Sequence, residues 1–234
     1  SLAQRLIASG VRWLGPRGWQ PVAKNGDELP AQAEIELLDA AEARYVSRGG
    51  LKLEGALRAV GVDPSGRDCL DVGQSTGGFT DCLLQAGAAR VVGVDVGHGQ
   101  LLPRLRSDPR VVVYEGLNAR HLQAQQLGPH LPAGGFDLIV GDLSFISQTL
   151  VWPALVPLLS RNGRLLMLVK PPFELQPQHI GKGGIVKADA PVHEIEPRLR
   201  GQAQALGLRV LAWLDSPIPG GDGNTEHFIC LQPA

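Results

Sequence analysis

Two carboxylates spaced around a glycine-rich turn, and a lysine that closes an apolar run, are the groups in this sequence best placed to do chemistry. The apolar run Cys69-Leu70-Asp71-Val72 leads into Gly73-Gln74-Ser75-Thr76-Gly77-Gly78-Phe79. In an open α/β sheet, ligands bind beyond the carboxyl ends of strands, and glycines there let a ligand approach the backbone closely. The register D-x-G-x-x-x-G-G departs from the G-x-G-x-x-G of dinucleotide sites, which disfavours a nicotinamide dehydrogenase. A second apolar run ends at Asp95, 24 residues after Asp71. A carboxylate at that point can accept hydrogen bonds from both hydroxyls of a ribose. Two acidic strand ends around a turn without phosphate-type spacing suit a cationic, ribose-bearing cofactor such as S-adenosyl-L-methionine. Asp71 would face its cationic side and Asp95 would hold its ribose.

Two further apolar runs end in Gly141-Asp142-Leu143-Ser144-Phe145 and in Val169-Lys170-Pro171-Pro172-Phe173-Glu174. If these are neighbouring strands, Asp142 and Lys170 meet at the carboxyl rim. Burying a lysine there costs free energy unless a carboxylate pairs with it. The pair then has two readings, a structural ion pair or the proton-handling centre of transfer to a hydroxyl. An alcohol must lose its proton as it attacks, and a lysine can take that proton only when neutral. A second cation nearby would help it become so. Lys52, in Gly49-Gly50-Leu51-Lys52-Leu53, and Glu226, in Gly223-Asn224-Thr225-Glu226, are candidates to complete the group.

The elements that must position these residues follow from periodicity. Apolar, β-branched runs near 69–72, 90–96, 110–114, 136–140, 163–170, 208–214 and 227–231 predict strands. Between them, helices are expected near 51–60, 77–87, 146–159 and 193–207, with a helix or turn near 103–107. Such alternation predicts a parallel sheet with helices on both faces. Residues 1–38 read as a separate small module, with a helix end around Leu2, Leu6 and Ile7. Short strands are expected at 11–14, 20–22 and 34–38. Residues 39–50 read as a linker and 51–234 as the main domain.

Together, Tyr45 to Leu53 (YVSRGGLKL), Asp71 to Thr80 (DVGQSTGGFT), Asp95 to Leu101 (DVGHGQL), Asp142 to Ser147 (DLSFIS), Val169 to Glu174 (VKPPFE) and Gly223 to Glu226 (GNTE) resemble the hemolysin-A/TlyA family. Its members are S-adenosylmethionine-dependent ribosomal RNA 2′-O-methyltransferases with an FtsJ-like catalytic domain. The resemblance implies an α/β fold with a seven-stranded, Rossmann-like class I methyltransferase sheet. It implies a Lys-Asp-Lys-Glu tetrad at Lys52, Asp142, Lys170 and Glu226. The expected cofactor set is Asp71, Gly73, Ser75, Thr76, Gly77, Gly78, Phe79, Asp95, Val96, Asn118 and Asp142. It further implies that residues 1–38 are the second half of an S4-type RNA-binding module, and that cytidine in ribosomal RNA or ribosomal subunits is the target. Gln74, His98 and Pro172 depart from the family's usual Ala, Tyr and Gln.

The formal net charge is −1, which excludes a uniformly basic nucleic-acid coat but not a local basic face. Residues 44–67 hold five basic side chains against two acidic ones, and residues 161–187 hold five against one. Arg44, Arg48, Lys182 and Lys187 are the expected RNA contacts, and the glycine-rich stretch 176–187 is expected to be a mobile loop closing over RNA. The three cysteines read as reduced core thiols, and the six scattered histidines disfavour a metal site. No apolar run approaches the roughly 18 residues that span a bilayer, which disfavours the pore-forming activity that the family name suggests. No leader opens the chain, so a cytoplasmic protein is expected. With Met167 its only methionine, the chain is expected to start inside a longer polypeptide. A non-catalytic RNA-binding or assembly protein on the same fold is the main alternative.

Overall fold

The structure, a computed structural model, describes residues 11–16, 18–22, 26–37 and 44–234. The helix expected around Leu2–Ile7 and residues 39–43 of the expected linker fall outside these residues. Within the N-terminal module, β1 (Val11–Gly15), β2 (Gly18–Pro21) and β3 (Ile35–Leu37) form an antiparallel sheet in the order β2-β1-β3. The β1–β2 turn is the glycine-proline punctuation that the sequence advertises.

In the main domain, β4 (Asp68–Val72), β5 (Arg90–Asp95), β6 (Val111–Glu115), β7 (Phe136–Gly141), β8 (Leu159–Val169), β9 (Leu208–Asp215) and β10 (His227–Pro233) form one sheet. Its order is β6-β5-β4-β7-β8-β10-β9. The seven strands are those expected, but the sheet is mixed rather than parallel. β10 runs antiparallel to both β8 and β9. The reason lies in the connection: no helix crosses over between β9 and β10, and a direct return of the chain pairs strands antiparallel.

Alternation of side chains across the strands divides the core into two clusters. Cys69, Val91, Leu138, Val140, Leu166, Leu168, Phe228 and Cys230 face α1 (Gly49–Val60) and α2 (Gly78–Gln85). Leu70, Val72, Val92, Ile139, Leu165, Met167 and Ile229 face α3 (Ile195–Ala205) and the segment around Trp152. The three cysteines are free and lie in the first cluster. Burial pushes the thiols of Cys69 and Cys82 up to about 12.

One expected helix is broken. Residues 146–159 form successive short turns, Gln148–Leu150, Trp152–Leu155 and Val156–Leu158. Pro153 and Pro157 lack the N–H that an α-helix interior requires, and their rings clash with the preceding turn. Val151, Trp152, Leu155 and Leu158 still reach the core, which accounts for the apolar pattern. α3 tolerates Pro197 because the residue lies in its first turn, where N–H groups have no partner inside the helix. Among the described residues, no helix is long and apolar enough to cross a membrane.

Register sets the rim. Val72 pairs with Val94 and Gly141, and Gly141 pairs with Met167. Gly73, Val96, Asp142 and Lys170 therefore follow the carboxyl ends of four neighbouring strands. At Gly73, φ is +83°, and a Cβ would sit 2.6 Å from the carbonyl oxygen of Asp142. Gly73→Ala should therefore combine backbone strain with a backbone clash and cost about 1–3 kcal/mol. Thermal unfolding checks this, and an unchanged Tm would show that the two loops separate freely.

Candidate active site

The rim encloses a cleft with two lobes. One, of about 280 Å³, is lined by Ser47, Gly49, Gly73, Gln74, Ser75, Thr76, Gly78, Phe79, Asp142, Ser144 and Lys170. The other, of about 300 Å³, shares Gly73, Ser75, Asp142 and Ser144 with it. It adds Val94, Asp95, Val96, Gln100, Leu117, Ala119, Leu143 and Phe145. Loops after β4, β5 and β7 thus supply most of the walls, and the segment before α1 closes one side.

Asp95 organises the second lobe. Its Oδ2 accepts from the Ser75 amide at 2.7 Å, and its Oδ1 accepts from the Gly97 amide at 2.7 Å. Ser75 adopts φ +48°, an uncommon left-handed conformation that aims its amide at this carboxylate. Phe145 is the other non-glycine residue with positive φ among those described, at +63°. Its ring is 89% exposed and lies 5.0 Å from that of Phe173, centroid to centroid. Strained residues of this kind concentrate at functional sites.

Lys170 stands between the lobes and the rest of the rim. Its Nζ lies 2.5 Å from Asp142 Oδ1 and donates to Ser144 Oγ at 3.0 Å. Asp142 Oδ1 makes this contact as an ion pair, outside hydrogen-bond geometry. Because His227 pairs with Val169, Glu226 falls opposite Lys170 at the start of β10. Glu226 in turn forms an ion pair with Lys52, which projects from the buried face of α1 beside Leu53 and Ala56. The four expected catalytic residues are therefore gathered as two ion pairs. Asp142 and Lys170 line the cleft; Lys52 and Glu226 are buried behind it, with side chains 8% and 7% exposed.

Of the expected cofactor residues, Gly73, Ser75, Thr76, Gly78, Phe79, Asp95, Val96 and Asp142 line the cleft. Three do not. Asp71 lies inside β4, paired with Gly93 and Val140 on either side, and is fully buried. Its Oδ2 accepts from Thr80 Oγ1 at 2.7 Å, and Thr80 Oγ1 accepts from Gln74 Nε2 at 2.8 Å. Asp71 thus supports the glycine turn from below, where an apolar strand leaves no opening to the cleft. Asn118 accepts from the Arg120 amide and caps a helical turn. Gly77, at φ +98°, starts α2 with its α-carbon against Leu101 and Leu105. Ser47, Gln100, Leu117, Leu143, Ser144 and Phe145 join the site without having been anticipated. All but Leu117 lie in the quoted motifs, but their type and spacing alone signal no role.

The expected RNA contacts are more dispersed. Arg44 pairs with Glu54, and Arg48 donates to the carbonyl oxygen of Pro219 at 3.2 Å. Lys182 and Lys187 are exposed on the 176–187 stretch. That stretch is anchored rather than slack: Ile180 bridges Val186, and Asn224 Oδ1 accepts from the Val186 amide at 2.9 Å. Two of the positive charges counted at the rim, Lys52 and Lys170, are spent on buried or half-buried carboxylates.

Residues 45–233 match the family model described as FtsJ-like methyltransferase. The chain is 44% identical to the 16S/23S rRNA (cytidine-2′-O)-methyltransferase TlyA of Mycobacterium tuberculosis, over 91% of this chain and 77% of that protein. It is 40% identical to Hemolysin A of Brachyspira hyodysenteriae, over 98% of this chain and 93% of that protein. A solved structure of a hemolysin homologue from Streptococcus thermophilus superposes with a TM-score of 0.79 at 36% identity, covering 98% of this chain and 82% of that one.

Burial pushes the Asp71 carboxyl up to about 7; the Thr80 hydrogen bond opposes the rise, and the charges of Asp142 and Asp95 add to it. An unfolded aspartate ionises near pH 4. Between about pH 4 and 7 the folded chain keeps a proton that the unfolded chain has lost, so this group's contribution to stability falls as pH rises through that window. Wild type should lose stability relative to Asp71→Asn across it, then run parallel above; urea unfolding at a series of pH values reads the difference. For the other pair, Glu226→Leu strands a buried ammonium and should cost about 3–5 kcal/mol. The double variant Lys52→Met/Glu226→Leu should recover most of that, and a double-mutant cycle in denaturant checks it.

Proposed function

This chain belongs to the FtsJ-like methyltransferase family, and from that premise we propose that it transfers a methyl group from S-adenosyl-L-methionine to the ribose 2′-hydroxyl of a cytidine in ribosomal RNA. The observation that carries the reading is Lys170, held by Asp142 and Ser144 on the wall of a cleft built from the glycine turn. A hydroxyl acceptor needs a proton acceptor at this point, and the pair provides one.

The cleft suits this cofactor. Gly73, lacking a Cβ, lets the backbone of Asp142 close against the glycine turn and complete the wall that both lobes share. Asp95 and Asp142 are the acidic residues among the cleft's lining, and Lys170 is its one basic residue, already paired. That charge pattern favours a cationic ligand without phosphates. Asp95, Val96 and Ser75 would hold its ribose and base. Gly73, Thr76, Gly78, Phe79 and Asp142 would hold its amino-acid end. Once bound, the cofactor supplies an electrophilic methyl group on a sulfonium.

In its neutral form Lys170 receives or shares the proton of the attacking hydroxyl at Nζ and becomes an ammonium, which the Asp142 carboxylate then stabilises. Ser144 Oγ, which accepts from Nζ, holds that nitrogen at the cleft wall. Lys52 and Glu226 fix the start of β10 beside Lys170 and so shape the wall against which the ribose lies. The N-terminal sheet, with the residues that precede it, reads as part of an S4-type RNA-binding module. Arg44, Arg48, Lys182 and Lys187 supply charge for the phosphate backbone.

Purified protein incubated with ribosomal subunits and tritiated cofactor should place label on a cytidine ribose. Lys170→Ala should lower kcat by about 10²–10⁴-fold, with cofactor binding retained by calorimetry. Label on a base, or full activity in Lys170→Ala, would overturn the assignment.

A further inference from the structure

On the far side of the Lys170–Glu226 rim lies a second cavity of about 460 Å³, larger than either lobe of the cofactor cleft. Pro171, which follows Lys170, and Thr225, which precedes Glu226, form its near wall. Ile185, Val186 and Val192 supply apolar surface, and His227 belongs to the lining. We propose that this cavity is a subsite for an unstacked nucleobase, that of the nucleotide next to the one whose ribose reaches Lys170.

Three observations carry this. The cavity shares none of the cleft's lining, but its Pro171 directly follows Lys170 of the cleft wall and its Thr225 directly precedes Glu226 behind that wall, so a chain crossing the rim would set successive nucleotides on either side of it. Its surface combines aliphatic walls with a few polar groups. A nucleobase needs that combination, with flat apolar faces and a polar edge. His227 is itself held rigidly: its Nδ1 contacts Asp215 Oδ1 at 2.8 Å, and its ring stacks on Trp213 with centroids 5.1 Å apart.

The third observation is that the cavity is preformed. Asn224 is 7% exposed and its side chain is committed to holding the wall. Its Nδ2 donates to the Gly184 carbonyl oxygen at 2.9 Å and to Asp222 Oδ2 at 2.7 Å, while its Oδ1 accepts from the Val186 amide. Ile185 nevertheless stays 44% exposed, an aliphatic side chain held at the cavity with much of its surface still in water. Lys182 and Lys187 lie on the same wall segment, exposed. That charge fits a phosphodiester chain better than an apolar peptide or a lipid.

The inference rests on the RNA reading above, and the tests separate the two. Val186→Trp fills the cavity, and Ile185→Ser removes apolar surface at an exposed position. Loss of the buried base contact should make the KM for ribosomal RNA rise roughly five- to 100-fold in either variant, with the calorimetric Kd for the cofactor unchanged. An unchanged KM in a variant of wild-type Tm overturns the subsite. Independently of any turnover, a single-stranded RNA hexanucleotide is titrated into isotope-labelled wild-type protein. Amide shifts at Ile185, Val186 and Thr225 support the subsite; shifts confined to the cofactor cleft, or none, overturn it. Failure of wild type to methylate ribose would sink the RNA 2′-O-transfer reading alone, and the titration would then decide the subsite.

Discussion

The carbonyl oxygen of Asp142 lies so close to Gly73 that no side chain fits between the loops after β4 and β7. Both lobes of the cleft share these two residues. The contact exists because parallel strands in register end together, and the turns that follow crowd against one another. It also fixes where Lys170 stands. β8 is the next strand along, and its lysine meets the Asp142 side chain while the Asp142 backbone is held at Gly73. A single backbone approach thus aligns the glycine turn with the Asp142–Lys170 pair.

Behind that rim the structure keeps a second, closed ion pair. Lys52 and Glu226 come from opposite ends of the main domain, 174 residues apart, and each would be costly to bury alone. Paired, they tie α1 to the start of β10, the antiparallel strand that departs from the expected parallel sheet. The mixed topology therefore has a consequence for the site. Only a strand returning beside β8 brings Glu226 level with Lys170.

Charge takes on a different meaning once positions are known. A net charge near zero conceals a rim whose lysines are partly neutralised from within. The positive charge left for a polyanion sits further out, on the anchored segment that carries Lys182 and Lys187. The anchoring itself comes from Asn224, two residues before Glu226. The same short motif thus serves the buried pair and the outer wall.

Much of this was legible in the residues. Apolar runs of alternating or continuous character located the strands of the main sheet, and the glycine turn, Asp95, Asp142 and Lys170 were recognisable as rim residues. Strand ends are legible because burial on both faces demands unbroken apolar runs, so a charged residue closing such a run stands out. Three things were not legible. Asp71 read as a ligand group because it stands near a strand end, yet strand pairing on both sides puts it beneath the turn. The segment 146–159 carried a helical apolar pattern that its prolines prevent from becoming one helix. The direction of β10 is invisible to periodicity, which reads the same in either sense. The sequence by itself determined which charged residues close the apolar runs and that strands and helices alternate, because those depend on side-chain type and local period. Only the tertiary structure decided which of the charged groups open to the cleft and which close on each other, because that depends on register between strands far apart in the chain.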